Sequence, residues 1–158
     1  IIASERQTNQ IKKELLNINI DVICINSKSI ENFKNIKFEI VIIQELQEIK
    51  QKQEYIKEIL KNAKCVFLNT DIRIDEEIFK DINVKILTFG LKQKSTITVS
   101  SICEKKVMIS IQRAFKNFKE EIIEQQEIPI QLNKKNMKDL YNALIKVAII
   151  NMYTSKKR

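Results

Sequence analysis

Short apolar runs that alternate with amphipathic segments constrain the fold of this chain more than any other feature. The runs contain few charges, so their side chains suit burial on both faces, which is the environment of strands in a parallel sheet. Segments of helical periodicity between such strands are typical of α/β folds, in which helices cover the sheet. The runs occupy residues 22–25, 38–43, 65–68 and 84–89.

Helices are predicted in the intervals between these strands, where apolar side chains recur at helical spacing. Residues 1–3 are also apolar and predict a further short strand before the first helix. Together these elements predict a doubly wound, mostly parallel α/β core over about residues 1–90. The predicted helices lie at residues 5–17, 29–35, 46–63 and 75–80.

The sequence pattern changes after Gly90, the only glycine in the chain. Apolar and polar residues then alternate, which is typical of strands with one face toward water, here the face of Thr96 and Thr98. Short connections predict a small antiparallel three-stranded meander, a side sheet over residues 95–132. Pro129 places the last strand at an edge, because proline has no N–H to donate. The three segments are residues 95–102, 107–113 and 128–132.

A C-terminal helix is predicted at residues 136–153, and Asn136 opens it with Asp139 as a weak capping box. The segment is apolar on most of its circumference, which is typical of a largely buried helix. We expect it to pack on the α/β core. The whole chain, residues 1–158, is therefore predicted to form a single domain.

Four apolar side chains of this helix lie away from its main apolar face. If they were exposed together, they would form a patch larger than soluble monomers usually tolerate. Either the side sheet folds over the helix or a second chain covers the patch. We favour a homodimer or another protein partner, since a symmetric contact needs only one such surface. The four residues are Ile145, Ile149, Ile150 and Met152.

The chain contains no histidine, which removes Ser-His and Cys-His nucleophile pairs and the most common metal ligand. Lys94 and Ser95 resemble the end of a phosphate-binding loop, but Gln93 and Thr88 stand where such a loop needs glycine. We interpret this segment as a connection between strands. We therefore expect no catalytic residue, no metal, no cofactor and no enzymatic activity.

One acidic cluster could in principle bind Mg²⁺. Its residues also stand where a short helix is predicted to begin, and carboxylates are stabilised at helix N-termini by the helix dipole. We interpret the cluster as a helix start. Its members are Asp71, Asp75, Glu76 and Glu77.

The formal net charge is +8, from 28 Lys and Arg against 20 Asp and Glu. The lysines are dispersed and interleaved with glutamates, so we interpret them as a solvated surface and do not expect nucleic acid as a partner. Cys24, Cys65 and Cys103 lack the spacing of a disulfide framework or a zinc site, and we expect buried free thiols. No apolar run is long enough to cross a membrane, so we expect a cytoplasmic protein without membrane contact.

Four pieces of the sequence, in order, resemble the central domain of the Mur ligases, the ATP-dependent enzymes that add amino acids to peptidoglycan precursors. Asn69 and Asp71 resemble the family's strand-end N-x-D. Residues 84–89 are similar to its next strand, which ends in an aromatic residue and glycine, and the meander is similar to its small side sheet. Residues 140–148, Leu-Tyr-Asn-Ala-Leu-Ile-Lys-Val-Ala, resemble its helix N-x-x-N-A-L-x-A-x-A. The resemblance covers about residues 38–150.

The resemblance implies an adenine contact for Asn142, which matches the second Asn of that helix, and further cofactor-binding candidates at Asn69 and Asp71. The departures concern the catalytic parts. The Gly-Lys-Thr phosphate loop has no counterpart, and the metal-binding Glu and His and the carbamylated lysine cannot be placed. Asp139 replaces the first Asn of the helix. The chain therefore resembles a degenerate relative that keeps the scaffold.

We expect a non-catalytic domain of Mur-ligase-like fold that acts as a binding or interaction module, with a link to cell-envelope metabolism implied only by the resemblance. A first alternative is a nucleotide or UDP-sugar binding protein that keeps a cleft at the strand ends. A second alternative is a basic protein weakly associated with nucleic acid, for which salt-dependent DNA binding is the diagnostic property.

Overall fold

The computed structural model describes residues 1–3, 5–45, 52–104, 106–132 and 136–154. It confirms an α/β fold with a mostly parallel six-stranded sheet and a small antiparallel two-stranded sheet. The described helices are α1 (Glu5–Leu16), α2 (Gln53–Lys61) and α3 (Met137–Tyr153). The described strands are β1 (Phe38–Ile43), β2 (Ala63–Asn69), β3 (Lys85–Phe89), β4 (Ile97–Ile102), β5 (Val107–Ile111), β6 (Phe115–Lys116), β7 (Ile122–Ile123) and β8 (Gln126–Ile130).

The large sheet changes from parallel to antiparallel pairing along its order, β1-β2-β3-β4-β5-β8. β1 and β2 are parallel, and so are β3 and β4, which meet at Phe89 and Ile97. β4, β5 and β8 form the predicted antiparallel meander. Pro129 lies in the last strand of the order, as its missing N–H predicted. The hairpin of β6 and β7, which lies between β5 and β8 in sequence, was not predicted.

The chain divides into two compact units, Ile1–Leu87 and Thr88–Arg158. In the first unit, α2 packs on one face of β1 and β2, and the opposite face of these strands is also buried. Burial on both faces is what the uninterrupted apolar runs predicted. The face toward α2 includes Val41, Ile43 and Val66, packed with Ile56, Ile59 and Leu60. The opposite face carries Ile42, Cys65 and Phe67.

The N-terminal segment lies between two other parts of the first unit. Ile2 forms parallel bridges to Ile25 on one side and to Ile43 at the end of β1 on the other. The predicted strands at residues 1–3 and 22–25 are therefore reduced to single bridging residues. The prediction that residues 22–25 are buried is wrong except for Ile25, because this segment lies at an edge and is covered only on its inner side.

Two predicted helices of the first unit are 3-10 turns, Ile30–Phe33 and Glu76–Phe79. The Asp75 carboxylate accepts a hydrogen bond from the backbone N–H of Glu77 at 3.1 Å, so the acidic cluster begins a turn as interpreted. Within the described ranges, no group of Asp, Glu or Cys has the arrangement of a metal site. Of the predicted helix at 46–63, residues 46–51 lie outside the described residues.

Thr96, just before β4, and Thr98 within it are buried, so the prediction that they face water is wrong. The Thr96 backbone N–H donates to Thr88 Oγ1 at 2.9 Å, and the two hydroxyls are 3.0 Å apart. These bonds compensate for the burial of Thr96. The pairing with β5 shifts register between Val99 and Ser101, beyond which the serines of the strand are exposed.

Asn117 joins the hairpin of β6 and β7 to the C-terminal end of α3. Its Oδ1 accepts from the backbone N–H groups of Lys119 and Glu121, at 2.9 and 3.0 Å. Its Nδ2 donates to the Thr154 carbonyl at 2.8 Å and to Glu121 Oε2 at 3.1 Å. The last carbonyl groups of a helix have no partner within the helix, so this turn satisfies part of the helix end.

α3 begins as predicted, because Asn136 Oδ1 accepts from the Asp139 N–H at 2.9 Å. Ile145, Ile149 and Met152 are buried within the single chain, and Ile150 alone of the four off-face residues is 41% exposed. The apolar patch that motivated the expectation of a dimer is therefore mostly covered. Among the described helices, none combines the length and the apolar content that a membrane-spanning helix requires.

The cysteines differ in environment. The prediction of three buried thiols is correct for Cys65 and wrong for the other two, because Cys24 is half-buried at the sheet edge and Cys103 is exposed where β4 ends. Burial raises the pKa of Cys65 to about 11. The thiolate is the reactive form, so its low population protects this side chain in addition to its lack of access.

Asn117→Ala is expected to lower the free energy of unfolding by about 2–4 kcal/mol, because four hydrogen bonds are lost and buried groups are left unpaired. Urea unfolding followed by circular dichroism measures the change. Glu120→Gly is the control in the same turn. Glu120 has a φ of 60°, which glycine accommodates, and its ion pair with Lys116 is exposed. Equal losses in both variants would contradict the assignment to Asn117.

Iodoacetamide applied to the folded protein at pH 8 is expected to modify Cys103 and to leave Cys65 intact. The pKa of Cys65, about 11, keeps its thiol protonated at that pH, and the side chain is fully buried. Peptide mass spectrometry identifies the modified residue. The same treatment in urea should modify both cysteines. Modification of Cys65 at the rate of Cys103 in the folded protein would show that β2 opens readily.

Candidate functional site

The order of the parallel segments in the first unit creates a switch point at their carboxyl ends. The chain passes from residues 1–3 through α1 to Ile25 on one side, and later returns to β1 on the other side. Connections that diverge in this way leave a crevice beyond the strand ends, where open parallel sheets bind ligands. We therefore take the carboxyl ends of residues 1–3, β1 and β2 as the candidate site.

Gln44 and Glu45 follow β1 directly and lie at this switch point. Their backbone N–H groups donate to the Ile2 carbonyl at 3.1 and 3.3 Å, which holds the end of β1 beside the neighbouring segment. Gln44 is only 5% exposed. Gln44 Oε1 and Glu45 Oε2 are buried, and no described residue donates a hydrogen bond to either atom. The site thus contains two buried acceptors that lack a donor within the described chain.

Asn69 and Asp71, the candidates from sequence, lie at the end of the adjacent strand. Asn69 is buried, and its Nδ2 donates to the Gln44 carbonyl at 3.4 Å. Its Oδ1 accepts from the Asp71 N–H at 2.9 Å, which closes the turn after β2. The structure therefore brings Asn69 beside Gln44 and places Asp71 in the turn that Asn69 closes. Asn69 uses both polar atoms to hold the backbone, so it positions the strand ends rather than offering free atoms.

The unpartnered atoms determine which chemistry the site suits. Gln44 Oε1 and Glu45 Oε2 are hydrogen-bond acceptors, and an ionised carboxylate also repels anions. A ligand hydroxyl or amino group would donate hydrogen bonds to these two oxygens, whereas a phosphate would bring further negative charge. The arrangement therefore suits binding of a donor-bearing ligand group.

Gln44 and Glu45 were not among the site residues predicted from the sequence. A Gln-Glu pair just before a predicted helix is typical of the polar start of that helix. The available signal was their position immediately after a buried strand, which is the same signal that singled out Asn69. The order of the strands, which makes the end of β1 a switch point, is a tertiary property and had no local signal.

Asn142 lies on α3, in the second unit, and is 2% exposed. Both of its polar side-chain atoms are buried without a partner among the described residues, and the same is true of Thr98 Oγ1 on β4. Leaving such groups unpaired costs free energy. Asn142 is therefore a buried polar residue whose side chain has no partner within the described ranges, and its resemblance to an adenine-contacting residue does not by itself explain this.

The segment that resembles a phosphate loop uses its backbone internally. The Gly90 N–H donates to the Ile97 carbonyl at 3.2 Å, and the Ser95 N–H donates to the Lys92 carbonyl at 3.0 Å. Ser95 is fully buried. A phosphate-binding loop directs its N–H groups at the ligand, so these bonds favour the interpretation as a connection between strands.

An open groove of about 390 Å³ lies at the opposite, amino ends of β1 and β2. Two of its three lysines are paired with carboxylates, Lys64 with Glu39 and Lys61 with Glu58, each at 2.9 Å. The hydrogen bond with Glu58 raises the pKa of Lys61. Because these charges are largely compensated, the groove offers no clear recognition chemistry. It is lined by Lys37, Phe38, Glu39, Lys61, Asn62, Ala63 and Lys64.

No known protein family matches this chain, and no curated protein does so either. The resemblance to the Mur ligases therefore rests on the residues described above. Its consequences for function are treated below as proposals.

Asn142→Leu is expected to raise the free energy of unfolding by about 1–3 kcal/mol, because it replaces two unpaired buried polar atoms with apolar ones. Chemical denaturation measures the change. The matched variant is Asn117→Leu, since Asn117 is buried to a similar extent, 1% exposed, but fully hydrogen-bonded. That variant should lose stability. A loss in both variants would show that Asn142 finds partners in solution.

Proposed function

We propose that this chain is a non-catalytic binding module whose ligand lies at the carboxyl ends of residues 1–3, β1 and β2. The observation that carries the proposal is the pair of buried acceptor oxygens at the switch point of the sheet, Gln44 Oε1 and Glu45 Oε2, to which no residue of the described ranges donates. Folding leaves such atoms unpaired at a cost. A ligand that donates to them would recover that cost, which makes the position suited to binding.

The ligand class that fits is a hydroxyl-bearing or amino-bearing molecule, and nucleosides and UDP-sugars belong to it. In such a ligand, ribose or sugar hydroxyls would donate to Glu45, and an amino group or a hydroxyl would donate to Gln44. The phosphates would contribute little, because the sequence lacks a phosphate-binding loop and Glu45 repels anions. We therefore expect nucleoside and sugar portions to dominate the affinity.

The non-catalytic part of the proposal rests on the sequence. The chain has no histidine and a single glycine, so the usual general base and a glycine-rich phosphate loop are both missing. If the Mur-ligase resemblance reflects ancestry, this chain keeps the scaffold and has lost the means to use ATP. A cytoplasmic role linked to cell-envelope precursors would then follow, and that link depends on the resemblance alone.

Calorimetry with uridine, adenosine, UDP-N-acetylglucosamine, ATP and inorganic pyrophosphate tests the proposal. We expect at least one sugar-bearing compound to bind, and we expect pyrophosphate not to bind. Glu45→Gln should weaken that binding by about ten- to a hundredfold, because a charge-assisted hydrogen bond contributes about 1.5–3 kcal/mol.

Glu39→Gln is the matched control, because Glu39 is on β1 but at its opposite end and pairs with Lys64 on the surface. Its affinity should equal that of the unmodified chain. Equal effects of the two substitutions, or tight binding of pyrophosphate alone, would contradict the proposed site. Turnover of ATP above a control preparation, lost in Glu45→Gln, would show that the module is an enzyme after all.

A further inference from the structure

The two edges of the large sheet differ in how well they are protected against pairing with another chain. At one edge, β8 pairs with β5, and Pro129 lies opposite Met108. Proline has no N–H to offer to another strand, and the exposed Glu127 beside it adds a charge. Proline and charged side chains on edge strands prevent pairing with other chains. The β8 edge is therefore closed to strand addition.

At the other edge, the bridges of Ile2 extend the sheet beyond β1 to Ile25. We call residues 20–25 the open edge. Its inner side is bonded to the N-terminal segment: Ile1 N donates to the Ile23 carbonyl at 2.6 Å, and Ile25 N donates to the Ile1 carbonyl at 2.8 Å. Backbone groups of alternate residues point to opposite sides of an extended segment. Those of Val22 and Cys24 therefore point outward, and no described residue bonds to them.

The surface of the open edge carries little charge and includes exposed apolar side chains. Ile23 is 42% exposed, and Leu16 and Ile18 are also exposed in the turn that leads to it. Asp21 is the only charged residue between positions 16 and 25, although charged residues make up 30% of the chain. Lysines or prolines at such a position would prevent pairing, and here they are missing.

We propose that a second copy of this chain pairs with the open edge in antiparallel orientation about a two-fold axis at Ile23, so that one sheet continues through both copies. This axis places Asp21 opposite the partner's Ile25, so the single acidic side chain does not face its own copy. It places Val22 opposite the partner's Cys24, so the outward backbone groups of both residues find partners.

The choice of a second copy follows from the charge and from the closed edge. A two-fold contact uses the same surface twice, and a surface with one charge avoids the like-charge repulsion that a chain of net charge +8 would otherwise bring. Pairing of the open edge with the β8 edge would instead continue indefinitely, and Pro129 prevents it. The assembly therefore ends at two copies.

Light scattering at micromolar concentration tests the proposal with Ile23→Lys. The unmodified chain should have twice the chain mass of 18.6 kDa, and the variant should have the mass of one chain. The matched control is Ile86→Lys, since Ile86 is also 42% exposed but lies on β3, away from the edge. The control should keep the doubled mass.

A single-chain mass for the unmodified protein, a doubled mass for Ile23→Lys, or masses above two chains would each overturn the proposal. If Ile23→Lys does not fold, hydrogen exchange on the unmodified chain decides the question. The amides of Val22 and Cys24 should exchange more slowly as protein concentration rises. Exchange that is independent of concentration would overturn the pairing.

Discussion

The pairing of Ile2 with two neighbours is the interaction on which the first unit depends. Ile2 is fully buried, bridges Ile25 and Ile43, and its N–H donates to the Ile42 carbonyl at 2.8 Å. Its carbonyl holds Gln44 and Glu45, so the candidate site exists only because this segment enters the sheet beside β1. The open edge depends on the same segment, since Ile23 and Ile25 are bonded on their inner side to Ile1 and Ala3.

Sequence patterns identified most of the described elements, because strands buried on both faces require uninterrupted apolar runs. β1, β2 and α3 lie close to their predicted positions. The patterns predicted burial wrongly where the position of a segment in the fold, and not its composition, decides its exposure. Residues 22–25 are as apolar as β2 but lie at an edge, so Ile23 remains exposed. Thr96 looks like a residue on a wet face, yet it is buried because Thr88 satisfies its N–H and lies beside its hydroxyl.

The candidate site was only half predictable for a related reason. Asn69 and Asp71 could be selected as polar residues at the end of a buried strand, and the structure places them in a turn that holds β1 and β2 together. Gln44 and Glu45 have the same local signal, but only the order of the strands distinguishes their position. In the second unit, local sequence likewise does not distinguish Asn117 from Asn142. The side chain of Asn117 has four hydrogen bonds, whereas that of Asn142 has none among the described residues.

Buried polar atoms that have no partner within the described ranges connect the stability of this molecule to its proposed ligand binding. Each such atom costs the folded state about 1–3 kcal/mol, and marginally stable proteins retain few costs of that size. Asn69 and Asn117 avoid the cost because each polar atom of their side chains has a hydrogen-bond partner, which makes them structural. Gln44 and Glu45, to which no residue of the described ranges donates, incur it at the switch point of the strand order. A ligand that donates to both oxygens adds the recovered free energy to its own affinity. The proposed ligand binding would account for side chains that selection for stability alone would replace.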